Sequence, residues 1–327
     1  MVREVTKSEI AREFQMDLFD SPLGGRVKND RTLMVWSFFG LGRQKTQRLP
    51  TYDDGTVRIE VYGTPEHGVA NMWDKEILIY LVSLMQDKAN RGEVVGTEMT
   101  FTAADLFRVV KREPGGSAYE RLEESLMRLK STQVKTNIET GGEGEDSGFS
   151  WISEYKMRYA RNRKGEKVLR AVKVTVCSWL YRAVVKDGRI LTYDSRYFDL
   201  GPLEKRLYEI ARAHCGKQRG FKMGLEKLRR RVGYGQGPED LKYFKRDILA
   251  LAKKKSPLPE YGVMLVDPRD PRRLGVLVDP KAPTPRGRTP LRDWRVFFFN
   301  ALELSRIPAY AAVPELDDGG FPESETP

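Results

Sequence analysis

Between Lys227 and Arg231 four of five side chains are cationic, in the stretch "EKLRRRVGYGQG". Ammonium and guanidinium groups at this density suit one chemistry: charge-assisted hydrogen bonds to phosphate oxygens. A second set follows at Lys242, Lys245, Arg246 and Lys253, interleaved with Tyr243, and a third at Arg269, Arg272 and Arg273. A fourth runs through "EYKMRYARNRKGEKVLRAVKV" as Lys156, Arg158, Arg161, Arg163, Lys164, Lys167 and Arg170. Residues for other chemistry are sparse. His67 and His214 are the only histidines and Cys177 and Cys215 the only cysteines, with no CxxC pair. There is no GxxxxGK[ST] loop and no His-hydrophobe-His motif of a rolling-circle nickase. The sequence therefore predicts no enzyme, no metal site and no cofactor. Its 57 Lys and Arg against 46 Asp and Glu, a net charge of +11, point to a polyanionic partner, of which nucleic acid is the common one. No run of 18 apolar residues is present, and "MVREVTKSEIAREFQ" lacks an apolar signal core, so no membrane partner is expected. The cysteine usage suits a reducing cytoplasm.

The elements that must position these cations come as a repeat. Residues 101–130 lie over residues 223–252 at an offset of 122 without a gap. Leu106 meets Leu228, Val110 meets Val232, and the breakers Pro114, Gly115 and Gly116 meet Gln236, Gly237 and Pro238. Tyr119, Leu122, Leu126 and Leu129 meet Leu241, Phe244, Ile248 and Leu251, giving both helices one buried face. Upstream, Ile77, Leu81 and Leu84 share their spacing with Leu203, Leu207 and Ile210 at an offset of 126. Each half reads helix, short helix, turn, longer helix, hairpin, the order of a winged helix. The expected fold is α+β: two tandem winged-helix domains with a flexible N-terminal arm and a Pro-rich C-terminal tail. The boundaries are 1–30 for the arm, 31–186 and 187–280 for the domains, and 281–327 for linker and tail. Within the first domain, "TLMVWSFF" and "TVRIEVYG" read as strands and Thr102 as the cap of "AADLFRVVK".

On a wheel of about 100° per residue, the 238–255 helix turns Leu241, Phe244, Ile248, Leu251 and Ala252 inward. Lys242, Tyr243, Arg246, Ala250 and Lys253 lie opposite, a face that suits a major groove. Lys227, Arg229, Arg230 and Arg231 are expected to hold flanking phosphates, with Lys245 adding to them. The hairpin "GVMLVDPRDPRRLGVLVD" would carry Arg269, Arg272 and Arg273 at the tip of a wing. The matching face of the first repeat is Glu120, Arg121, Glu124, Arg128 and Ser131, whose carboxylates phosphates would repel. The first half is thus expected to touch DNA through its hairpin, turning at Lys164 and Gly165 with Arg161 and Arg163 beside it, and to self-associate. In the arm, "QMDLFD" resembles the pentapeptide by which bacterial proteins bind the replication sliding clamp: Gln15, Asp17, Leu18 and Phe19 match, and Met16 replaces the usual leucine.

The stretches "NMWDKEILIYLVSLM", "GPLEKRLYEIARAHCG" and "FKRDIL" resemble those of the replication initiator protein A family of plasmid initiators, over roughly residues 30–280. The resemblance implies binding to repeated origin sites, the iterons, as double-stranded DNA, and melting of an adjacent AT-rich segment. It implies recruitment of host replication proteins, with a host helicase and host initiator among them, and a dimer formed through the first domain that can repress its own gene, with a homodimer or a monomer on DNA. It also implies residence in a bacterial cytoplasm, on plasmid DNA. A winged-helix transcriptional regulator is the alternative class, and a nicking enzyme a more distant one.

Overall fold

The structure is a computed structural model. It describes residues 19–142, 147–161, 164–165, 167–215, 220–254, 257–267, 269 and 287–301.

Strand β1 (Lys28–Asp30) runs directly into α1 (Arg31–Val35), because the Asp30 carboxylate accepts the Leu33 N–H and caps the helix. "TLMVWSFF", expected as a strand, therefore begins as a helix whose Thr32, Leu33, Met34 and Val35 are all buried. An apolar run without clear periodicity does not distinguish the two, and the cap decides. Strands β2 (Tyr52–Asp53) and β3 (Arg58–Tyr62) follow, the second of them in "TVRIEVYG" as expected. Helix α2 (Met72–Asn90) starts at a capping box of Asn71 and Asp74 and buries Ile77, Leu78, Leu81, Leu84 and Met85. After β4 (Glu98–Phe101), Thr102 accepts the Asp105 N–H and caps α3 (Ala103–Val109), as read from the sequence. Then come α4 (Gly116–Ser131), β5 (Gln133–Thr136), β6 (Ser147–Ser150), β7 (Ile152–Arg161) and β8 (Lys167–Val176). Helix α5 (Ser178–Arg182), a π-helical turn (Ala183–Asp187), β9 (Ile190–Thr192) and a 3₁₀ turn (Ser195–Asp199) lead to the second half. That half comprises α6 (Pro202–Cys215), β10 (Gly220–Gly224), α7 (Leu225–Val232), α8 (Asp240–Ala252), β11 (Tyr261–Val266) and β12 (Arg295–Asn300).

The order helix, strand, helix, helix thus occurs twice, and each half closes on a strand pair, β7 with β8 and β11 with β12, with β5 and β6 intervening in the first half. The sheets agree as well: β4-β8-β7 in the first half and β10-β12-β11 in the second, each with the last strand in the middle. The positions paired by the 122-residue offset are buried in both halves at Leu106 and Leu228, Val110 and Val232, Leu122 and Phe244, Leu126 and Ile248, and Leu129 and Leu251.

Two boundaries differ from expectation. Strand β11 pairs with β12, from Tyr261 opposite Asn300 to Val266 opposite Arg295, and the other arm of the expected hairpin lies outside the described residues. The second half therefore extends to Asn300, and "RVFFFN" is its central strand instead of a piece of tail. Four buried residues in a row, Val296 to Phe299, explain it: both faces of that strand are covered. Residues 270–286, with the expected tip Arg272 and Arg273, lie outside the described residues, as do 302–327. At the other end, the described part of the arm is packed on the first half. The Asp20 N–H donates to Thr100 O at 2.8 Å, its carboxylate takes the Thr100 N–H at 2.6 Å and pairs with Lys88 at 2.6 Å, and β1 pairs with β9.

One continuous apolar core, from Leu23 to Phe298, joins the halves. Buried charges cross the junction too. Lys75 on α2 meets Glu209 on α6 at 2.7 Å with both side chains fully buried, and Lys205 on α6 meets Glu76 on α2 at 2.5 Å. Glu209 also accepts from Arg206, Tyr193 and Tyr197, and Arg206 donates to Met34 O at 3.0 Å. Burial pushes the Lys75 ammonium down to about 8, against the pull of Glu209.

Candidate nucleic-acid interface

Helix α7 ends at Gly233, whose left-handed φ of 73° lets its N–H return to Arg229 O and Arg230 O. A Cβ at that position would run into the Ser37 side chain, so glycine is required twice over. The turn is then tied to α8. The Gly237 N–H donates to the Asp240 carboxylate at 2.6 Å, the Tyr234 ring lies 5.0 Å from Phe244, and the Tyr234 hydroxyl donates to Asp247 at 2.7 Å. Burial, together with that hydrogen bond, pushes the Tyr234 phenol up to about 12. Helix α8 thereby has a fixed pitch against α7.

Its two faces separate as the wheel predicts. Phe244, Ile248 and Leu251 are buried and Leu241 is half-buried. Lys242, Tyr243, Arg246, Ala250 and Lys253 are all exposed. Arg246, 69% exposed, lies 5.2 Å from the Tyr243 ring centroid and 3.1 Å from Asp247, which Tyr234 holds from the other side. Lys242 pairs with Glu239 at 3.1 Å, both well exposed. Exposed pairs of this kind are worth about 0–1 kcal/mol, so either cation can exchange its carboxylate for a phosphate or a base edge. Lys245 departs from the expected set. Its ammonium sits 3.3 Å from the Trp294 ring centroid, just ahead of β12.

The arginine run of α7 is a larger departure. Arg229 is 7% exposed, doubly bonded to Glu226 at 2.6 and 3.0 Å, and donates to Gly235 O. Arg231 is 4% exposed, with its guanidinium 4.4 Å from the Trp36 ring centroid. Arg230 donates to Asp53 O and lies 5.5 Å from the Tyr52 ring centroid. Three successive helical residues span most of a turn, and here two of them face inward and the third reaches the first half. These arginines fasten α7 to the turn and to the first half, so the flanking phosphate role expected of Arg229 and Arg231 does not fit their burial. Lys227 is half-buried. At the start of the expected wing, Arg269 donates to Thr289 at 2.9 Å.

In the first half, Glu120, Arg121 and Glu124 are exposed on α4, while Arg128 turns to Asp74 at 2.8 Å and clamps α4 to α2. Strands β7 and β8 form the long basic hairpin, turning at Lys164 and Gly165, where φ is 82°. Arg161 donates to Gly165 O at 2.7 Å and Lys164 is exposed; Arg163 lies outside the described residues. So do Gln15, Met16, Asp17 and Leu18 of the clamp-like peptide, and Phe19, 38% exposed, stands where that segment meets the folded core. Asp247, Tyr234 and Trp294, which position the α8 cations, were not legible as a group. Their only sequence signal is two aromatic residues and one carboxylate at scattered positions.

The sequence pattern of the family described as Replication initiator protein A matches residues 28–263. The chain belongs to that family. The match opens at β1 and closes within β11, short of the central strand β12. A relative from Wigglesworthia glossinidia brevipalpis, named "Putative replication protein", is 34% identical over 239 residues, which cover 72% of this chain and 84% of the relative. Among solved structures, domains 2 and 3 of RctB superpose with a TM-score of 0.52 at 12% identity, covering 80% of this chain and 94% of that one. The Pi initiator protein in complex with iteron DNA gives a TM-score of 0.44 at 16% identity, covering 69% and 89%. Within this replication initiator protein A chain, the stretches "NMWDKEILIYLVSLM" and "GPLEKRLYEIARAHCG" are α2 and α6, the two helices joined by the buried Lys75–Glu209 and Glu76–Lys205 pairs.

Proposed function

We propose that the chain is a plasmid replication initiator that binds double-stranded iteron DNA through two winged-helix units, with α8 as the base reader. The observation that carries this reading is the α8 face itself. Lys242, Tyr243, Arg246, Ala250 and Lys253 stand exposed together, opposite Phe244, Ile248 and Leu251, which are buried. Such a helix presents donors for guanine and phosphate, and Ala250 leaves room for close approach to a thymine methyl. The β7–β8 hairpin supplies sequence-independent backbone contacts through Arg161 and Lys164, and the first half self-associates, with a homodimer or a monomer on DNA. On DNA the protein recruits the host helicase and host initiator, and it acts in the bacterial cytoplasm on plasmid DNA. No catalytic step belongs to this reading.

The deciding experiment is origin-dependent replication. A plasmid carrying only this gene and its flanking direct repeats should replicate in a suitable host. A protein that binds the repeats yet fails to sustain the plasmid would be a transcriptional regulator instead. The "QMDLFD" peptide is proposed to place Leu18 and Phe19 in the apolar pocket of the sliding clamp, since small recognition sites concentrate affinity in a few buried side chains. Replacing both by alanine should abolish clamp pull-down and spare iteron binding. Equal retention of wild type and double variant would reject clamp binding by this peptide.

A further inference from the structure

A cavity of about 620 Å³ opens between the 41–48 loop, the turn before α4, the outward side of α4 and the start of α6. Seven cationic side chains border it against three carboxylates, so its walls carry a positive excess. Two of the three carboxylates are already engaged by cations. Glu76, 3% exposed, is shared by Lys205 and Arg112 at 2.5 Å each, so one carboxylate serves two cations. Glu124 lies 3.6 Å from Arg128, which Asp74 holds more closely. Arg43, Lys45 and Arg121 have no ion pair among the described residues. Arg43 is nonetheless positioned, with its guanidinium 4.5 Å from the Trp73 ring centroid. Its loop is held by the Val69 N–H on Thr46 O and the Gly63 N–H on Gln47 O, both 2.7 Å.

Gathering cations around a concavity is costly unless an anion neutralises them, and concave walls focus the resulting field. We propose that this cavity binds a small phosphorylated anion, an inorganic polyphosphate or a phosphate ester, through Arg43, Lys45 and Arg121. The volume lies within the range of small-molecule sites, and three unpaired donor groups suit the oxygens of such a ligand. The walls come from both halves, since Lys205 belongs to α6 and the three binding cations to the first half. The site is separate from the α8 face and does not depend on that face reading DNA.

The test is calorimetric titration of the full chain with inorganic pyrophosphate at low ionic strength. The proteins are wild type, the Lys45→Ala/Arg121→Ala double variant and Arg246→Ala. Lys45 and Arg121 are exposed, so the double variant should keep the wild-type melting temperature without ligand. The expected result is one site per chain in wild type and Arg246→Ala, weakened about tenfold or more in the double variant, the scale of a lost charge-assisted hydrogen bond. Absence of binding at millimolar pyrophosphate, or equal binding by all three proteins, would overturn the proposal. A competition arm uses a duplex of unrelated sequence. If the duplex displaces pyrophosphate and the double variant loses duplex affinity to the same degree, the cations serve the DNA backbone and the small-anion assignment falls.

Discussion

Arg231 and Arg246 have the same side chain, lie fifteen positions apart and do different work because of what surrounds them. Arg231 is enclosed over Trp36, whereas Arg246 is 69% exposed beside Tyr243. Replacing Arg231 by alanine should therefore cost about 2 kcal/mol of stability, the scale of a desolvated cation–π contact, and lower the denaturation midpoint. It should leave the slope of log affinity against log salt unchanged, while each of Lys242→Ala and Lys253→Ala should flatten that slope by roughly 0.9. A flattened slope in Arg231→Ala would return that residue to the phosphate contacts. The sequence could not separate these roles, because charge and spacing are visible in it and enclosure by a distant tryptophan is not. His214 shows the same limit. Burial, with Arg231 second, pushes its imidazole down to about 3 from the ordinary 6.5. The folded chain thus refuses a proton that the unfolded chain accepts. The associated stability is full above about pH 6.5 and is lost as pH falls from there toward 3. His214→Gln should lose about 2 kcal/mol less than wild type between pH 7 and pH 5, read from urea midpoints at the two pH values. Parallel losses in both proteins would contradict the burial of a neutral imidazole.

Among the elements, β12 is the one whose importance the sequence conceals. It follows a Pro-rich stretch and resembles the start of a tail, yet it lies between β10 and β11 and pairs with both. A central strand has hydrogen bonds to lose on each side, and β12 adds Val296 and Phe298 to the main core. A chain ending at Trp294 should therefore lose cooperative unfolding of its second half, while one ending at Ala301 should keep it. Circular dichroism melts of the two truncations make the comparison, and equal melts would show the strand to be dispensable. Helix α8 was legible to the face, because a 3.6-residue period with large apolar groups at four positions admits one orientation. The β7–β8 turn was legible because a glycine at Lys164–Gly165 accepts the positive φ that the reversal needs. Helix α1 was not, since its identity rests on the Asp30 cap rather than on any period.

At the scale of the whole molecule, the 122-residue repeat was readable and its paired apolar positions are buried, but the joining of its halves was not legible. Lys75 and Glu209 are 134 positions apart, and no local pattern pairs them. Their burial, with that of Glu76, Lys205 and Arg206, makes the two repeats a single packed block. On the proposed function this block presents α8 for sequence-specific DNA recognition. The most direct test measures the affinity of wild type and Arg246→Ala for an iteron duplex and for a duplex of unrelated sequence at one fixed salt concentration. Arg246→Ala should lose about 1–3 kcal/mol on the iteron and much less on the unrelated duplex, the signature of a base contact. Equal losses on the two duplexes, or no loss on the iteron, would contradict that reading.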